Sequence, residues 1–171
     1  PLDLVIQGQG FFKFLAPDGT TAYGRDGAFT SNRDGQLVNA EGYTLDPPVT
    51  IPTDALTITI GSDGTVSVTQ AGQTAPTELG QVELANFVNP TGLLALGGNL
   101  FRPTAASGDP VDGTPGTAGM GTLQQGFLEI SNVSVVTELV DMIAAQRAYE
   151  LSSKAIRAAD EMLSQANNLV R

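Results

Sequence analysis

With 171 residues, 41% of them apolar and 15% charged, the chain can build one core with appendages. It contains no cysteine, histidine or tryptophan, which excludes disulfides, cysteine-containing zinc sites, thiol nucleophiles and histidine-dependent triads. A net charge of −10 argues against nucleic acid or anionic lipid as a partner, and no apolar run reaches the roughly 18 residues that a membrane-spanning helix needs.

The chain opens on Pro1 and enters a strand at once with Leu2-Asp3-Leu4-Val5-Ile6, so we read it as a piece whose N-terminal segment lies elsewhere. Asp18-Gly19, Asp26-Gly27 and Asp34-Gly35 then recur every eight residues, and Glu41-Gly42 follows seven later. Glycine accepts the positive φ of tight turns, so this spacing predicts a meander of hairpins. Strands are predicted at 10–15, 20–24, 28–31, 36–39 and 41–45. Residues 57–60 and 65–68 alternate cleanly around Gly61-Ser62-Asp63-Gly64, the strongest hairpin signal in the chain. A further strand is predicted over 79–88, ended by Asn89-Pro90-Thr91-Gly92.

Beyond residue 97 the sequence turns rich in Gly and Pro, and residues 105–121 cannot build a core alone. An extended connector lying against something else is expected there, with an extended pattern resuming at Phe127-Leu128-Glu129-Ile130. From Val135 to Val170 the chain has neither Gly nor Pro. This predicts a helix capped by Ser134, with Glu138 and Asp141 early and Arg171 at its end. About 36 residues at roughly 1.5 Å each give a rod of about 54 Å. The fold class is therefore mainly β with one long C-terminal helix, divided as a β-rich domain over 1–104, a connector with a β segment over 105–131, and a helix over 132–171. Residues 1–131 carry −9 of the charge and residues 132–171 carry −1.

Every seventh helix residue is apolar: Val135, Met142, Tyr149, Ile156, Leu163 and Val170. Ala148, Ala155, Met162 and Leu169 lie along one side of that stripe, and Ala145, Ser152, Ala159 and Ala166 along the other. Small flanking residues permit close helix–helix approach, while Glu150 and Lys154 can pair on the opposite face. The predicted helix outruns the roughly 26 Å width of a compact domain of this size. A partner helix, from a missing segment or from other subunits, is expected to cover the seam.

Candidate sites for chemistry are weak. No D-x-[DN]-x-[DN]-G run exists for an EF-hand calcium loop, and turn formation accounts for the Asp-Gly pairs. Gly8-Gln9-Gly10 is followed by Phe11-Phe12-Lys13 rather than by a helix, which removes a dinucleotide loop. No nucleophile–base pair is legible, so no catalytic, cofactor or metal residues are assigned.

Gln7-Gly8-Gln9-Gly10-Phe11-Phe12, then Tyr23-Gly24-Arg25-Asp26-Gly27-Ala28-Phe29, then Asp34-Gly35-Gln36-Leu37-Val38 with Gly42-Tyr43, resembles the opening β region of bacterial flagellar rod and hook proteins. Ser131-Asn132-Val133, Glu138-Leu139-Val140-Asp141-Met142-Ile143 and Gln146-Arg147-Ala148-Tyr149-Glu150 resemble the C-terminal helix of that family and its entry. In the middle, Asn89-Pro90-Thr91-Gly92-Leu93, Asn99-Leu100-Phe101, Ala106-Ser107-Gly108, Gly113-Thr114-Pro115-Gly116 and 121–129 are similar to its distal rod type. Leu139 departs from the pattern, standing where methionine is commoner. The family's N-terminal helix precedes the point matching Pro1, which puts correct polymerisation of this stretch alone in doubt.

The resemblance implies a structural subunit, not an enzyme, with no cofactor or small-molecule substrate. Its partners would be copies of itself in a hollow helical rod, neighbouring rod subunits, the hook, and the surrounding P- and L-ring proteins. It implies a place in the basal body across the periplasm, reached through the flagellum's own type III export apparatus. Two other classes stay open on the residues alone: an acidic β-rich binding module with an aromatic-lined groove, and a hydrolase with a close pair of buried carboxylates. Within the family, the alternative is a proximal rod or hook subunit.

Overall fold

The computed structural model describes residues 2–73, 75–117 and 119–169, the last four by backbone alone. The chain divides into two compact units, Pro1–Glu129 and Ile130–Arg171. In chain order the first unit contains β1 (Leu4–Gln7), β2 (Phe11–Leu15), β3 (Thr21–Gly24), β4 (Thr30–Ser31), β5 (Leu37–Val38), β6 (Thr44–Leu45) and β7 (Ala55–Ile60). It continues with β8 (Thr65–Gln70), β9 (Thr77–Gln81), β10 (Leu84–Asn86), β11 (Leu94–Gly97), β12 (Leu100–Arg102), β13 (Val111–Gly113) and β14 (Thr122–Gln125). The second unit holds the helix α1 (Val135–Leu169). The expectation of a β-rich body with a single long helix at its C-terminal end is met.

The hub of the body is β2. It pairs with β3 along one edge, and with β10 and β6 in succession along the other. Its residues alternate across the sheet, as a strand requires. Phe12 and Phe14 are buried in the main core, where they meet Phe29, the Phe12–Phe29 rings crossing edge-to-face at 5.1 Å. Phe11 points the other way, into a smaller cluster of Tyr23, Ala85 and Phe87. β4, β5, β11, β12 and β13 complete this nine-stranded sheet, and the other strands form two further sheets, β7-β8-β9 and the pair β1-β14, whose side chains Ile6, Ile60, Val66 and Leu123 join the main core.

Most of the turn readings hold. Asp18-Gly19 joins β2 to β3, Asp34-Gly35 joins β4 to β5, Glu41-Gly42 joins β5 to β6, and Gly61–Gly64 joins β7 to β8. Asp26-Gly27 is the exception, because β3 and β4 do not pair. The Gly27 carbonyl instead accepts from the Leu4 amide at 3.0 Å, and a side-chain carbon on Gly27 would overlap the Leu4 carbonyl oxygen. This glycine serves close backbone approach and not turn handedness.

The strand predicted over 79–88 is two strands in different sheets. β9 pairs with β8, the fully buried Val82 donates its amide to Gly64 at 2.8 Å, and β10 then pairs with β2 and β13. The apolar run continues across the crossing because Val82 and Leu84 both enter the core, so its pattern carries no mark of the change of partner. Residues 105–126, Gly- and Pro-rich as they are, contribute β13 and β14. Residues 127–130 form no strand.

Two polar ties hold this late segment. Ser107 is fully buried; its hydroxyl accepts from the Thr104 amide at 2.9 Å, while the Thr104 hydroxyl donates to the Gly92 carbonyl at 2.6 Å. Asn89 donates to the Ala106 carbonyl at 3.0 Å, and Gly92 is glycine because the Ala106–Ser107 backbone occupies the place of a side chain. At the other tie, the Lys13 ammonium lies 2.9 Å from Asp112 and 3.0 Å from Asp46. Burial lowers the Lys13 pKa, but the hydrogen bonds and charges of Asp112 and Asp46 outweigh it, and the net shift is upward.

Gly27→Ala is expected to lose about 3 kcal/mol or more of unfolding free energy, whereas Gly19→Ala, with open space around it, loses about 1 kcal/mol; urea titration separates the two. Because the folded pKa of Lys13 is raised, its contribution is complete below the unfolded value of about 10.4 and is lost as pH rises through the folded one. The stability gap between wild type and Lys13→Met should stay constant from neutral pH to about pH 10 and shrink only in stronger alkali. Denaturation curves across that range check it.

Candidate assembly surface

The helix begins where the sequence places its cap. The Ser134 carbonyl accepts from the Glu138 amide at 3.1 Å, and its hydroxyl accepts from the Thr137 amide at 3.5 Å. Glu138 adds a negative charge at the positive end of the helix dipole. At 35 residues, α1 is about 52 Å long.

From Val135 to Gln165 its side chains are exposed, with Ser153 half-buried. Val135, Met142, Tyr149, Ile156 and Leu163 follow one another along a single stripe, since seven residues are close to two turns. Tyr149 is 78% exposed and Ile156 63%. Ala148, Ala155 and Met162 follow one side of the stripe, and Ala145, Ser152 and Ala159 the other. Met142, Ala145, Gln146, Tyr149 and Glu150 line a shallow concavity on it. The side chains of Ala166 and Leu169, and all of Val170, lie outside the described residues.

Seven-residue counting missed part of this surface. Val136, Leu139, Val140 and Ile143 are also exposed, so the first turns of α1 are apolar on several faces. Glu138 and Asp141 interrupt that surface, and beyond Ala144 Arg147, Lys154 and Glu161 form a charged row. The signal was present in Val135-Val136-Thr137-Glu138-Leu139-Val140-Asp141-Met142-Ile143, which fits no narrow stripe.

In the body, chemistry-bearing residues gather where the chain enters and leaves. β1 pairs antiparallel with β14, Leu4 opposite Gln125 and Gln7 opposite Thr122, and the Gly126 amide donates to the Asp3 carbonyl at 2.8 Å. Gln7 and Gln124 are joined by their side-chain amides. Gly8 and Gly121 touch through their backbones, which accounts for the first glycine of Gln7-Gly8-Gln9-Gly10.

Arg25 closes the junction. Its Nη1 donates to the carbonyls of Gly8 and Gly10 at 3.1 and 2.8 Å, and its Nη2 to that of Ile6 at 3.1 Å. Its Nε lies 2.9 Å from the Glu129 carboxylate. The planar guanidinium fits this task because its donors point in fixed directions. Gln125 secures the neighbouring sheet: its carbonyl accepts from the Ile60 amide at 3.0 Å and its amide donates to the Ile58 carbonyl at 3.1 Å. It thus stands in for a strand partner along the edge of β7.

The carboxylates serve architecture. Asp18 and Asp63 sit below the ordinary aspartate value because the hydroxyl and the amide of Thr20 and Thr65, respectively, donate to them. These are Asx turns at hairpin tips. Among the described residues no group of three acidic side chains is placed to hold a metal ion.

Residues 5–68 match the model of the flagellar hook protein FlgE/F/G D1 domain, and residues 124–169 that of the flagellar basal body rod FlgEFG protein C-terminal region. Over 171 aligned residues, 99% of this chain, the sequence is 51% identical to the flagellar basal-body rod protein FlgG of Borreliella burgdorferi. The protein of the same name in Caulobacter vibrioides is 49% identical over 169 residues, again 99% of this chain.

The chain belongs to the flagellar rod and hook family.

Its distal rod type is the nearer match. The flagellar hook protein FlgE of Escherichia coli is 42% identical over 118 residues, covering 69% of this chain and 29% of that protein. The chain spans 64% of the length of the two rod proteins. The two family models account for β1 into β8, and for β14 through α1. The stretch between them holds the crossing at Val82 and the Asn89–Ser107 interlock.

Replacing Gln125 with Leu should speed hydrogen exchange of the Ile60 amide about tenfold, with the Val68 amide inside the same sheet unchanged. Exchange followed by NMR reads both amides in one experiment.

Proposed function

We propose that this chain is the β body and C-terminal assembly helix of a distal rod subunit, a structural protein and not an enzyme. Copies polymerise into a hollow helical drive shaft. The helices form the inner layer, the acidic bodies face outward, motor torque passes along the stacked subunits, and later export substrates pass through the centre. The rod crosses the periplasm, joins neighbouring rod subunits and the hook, turns within the P- and L-ring proteins, and is itself exported through the type III apparatus.

The observation that carries this reading is the exposed apolar surface of α1. A helix gains most of its stability from packing, and one that is apolar on several faces belongs in an interior. Val135, Met142, Tyr149, Ile156 and Leu163 supply one continuous seam, with Val170 extending it in sequence. The alanines at 145, 148, 155 and 159, with Met162, line its sides, the alanines allowing close approach, and Ala166 and Leu169 continue these rows in sequence. Val136, Leu139, Val140 and Ile143 require neighbours from further directions, which a layer of many helices provides and a two-stranded coil does not. The rod reading is favoured over the hook reading because the rod relatives align over nearly the whole chain and at higher identity.

Cells lacking the full-length gene should make rods that stop short of the outer membrane and carry no hook, as seen in purified basal bodies. Complementation with Ile156→Asp or Tyr149→Asp should leave cells non-motile, while Lys154→Gln on the charged face restores motility to within about twofold of wild type. Motile cells with complete rods after deletion would contradict the proposal.

A further inference from the structure

We propose that Arg25 and Glu129 form a latch that seats the last residues of the β body, and that its release frees the chain leading into the helix. The backbone pairing that holds the exit strand ends at Gly126, whose amide bonds the Asp3 carbonyl and whose φ of 83° turns the chain. Past that point the backbone forms no strand until α1 begins. Burial does little to hold it: Phe127 is 55% exposed and Leu128 48%. Among the described residues, the hydrogen bonds and ion pairs of 127–129 to the body reduce to the contacts of the Glu129 carboxylate with Arg25 Nε, at 2.9 and 3.2 Å.

The two partners are unequal. Arg25 is fixed in advance by the Ile6, Gly8 and Gly10 carbonyls, so the guanidinium stays in place whether or not the carboxylate is there. Glu129 has no such support. The side chains are 29% and 37% exposed, and an ion pair exposed to that degree changes a population only a few-fold, less in high salt. The result is a preformed socket with a releasable plug, not a permanent staple. This inference does not rest on the rod reading, because its test is made on the chain in solution.

Backbone ¹⁵N relaxation of the 171-residue chain tests it, comparing wild type with Glu129→Gln and Arg25→Lys. In wild type at low salt, the amides of Phe127, Leu128 and Glu129 should have order parameters near the rigid value of about 0.85. In Glu129→Gln they should fall measurably below the wild-type values, with Phe12 and Phe14 unchanged. Arg25→Lys, which keeps a cation but loses the forked geometry, should fall in the same way. Molar salt should loosen the same three amides in wild type, which keeps the test decisive if a variant does not fold. Three outcomes would overturn the latch: wild-type values already in the mobile range, values unmoved by both Glu129→Gln and salt, or loosening that spreads equally to Phe12 and Phe14.

Discussion

The antiparallel pairing of β1 with β14 joins the beginning of the chain to the end of its β body, and much of the body is organised around that ribbon. Ile6 and Leu123 carry it into the main core. The Leu123 amide bonds the Ser62 carbonyl at 3.0 Å, and the Gln125 side chain spans the Ile58–Ile60 edge, so the β7-β8-β9 sheet is attached through β14. Gly27 meets β1 backbone to backbone, and Arg25 gathers the carbonyls that follow it. Glycines at 8, 27 and 121 are what allow main chains to approach this closely.

That ribbon closes the body on itself and helps tie its three sheets together. The Lys13 bridge to Asp46 and Asp112, and the buried Ser107 network, bind the Gly- and Pro-rich stretch to the same frame. The first turns of α1, by contrast, leave their apolar side chains exposed. Body and helix thus divide the work: one is internally satisfied, the other is not.

Much of this was legible in the sequence, and the gaps have physical causes. Local turn chemistry located the hairpins at Asp18-Gly19, Asp34-Gly35, Glu41-Gly42 and Gly61–Gly64, and the absence of Gly and Pro located α1. Asp26-Gly27 misled because glycine serves a tight turn and close backbone packing with the same letter. The run 79–88 hid a change of sheet because alternation reports which residues are buried and not which strand they pair with. Residues 105–121 looked unable to form a core because they form none alone; β13 within them is ordered by pairing with β10, distant in sequence. On the helix, a seven-residue period picked out the exposed apolar stripe from Val135 through Leu163 but passed over Val136, Leu139, Val140 and Ile143, whose arrangement has no single period.

The claim that the end of the β body is part of its frame is tested most directly by urea unfolding of two truncations, one ending at Ser131 and one at Gly121. The account predicts that the chain ending at Ser131 unfolds cooperatively with the midpoint of the full chain, and that the chain ending at Gly121, without β14, shows no cooperative transition. A cooperative transition at an unchanged midpoint in the shorter chain would contradict it.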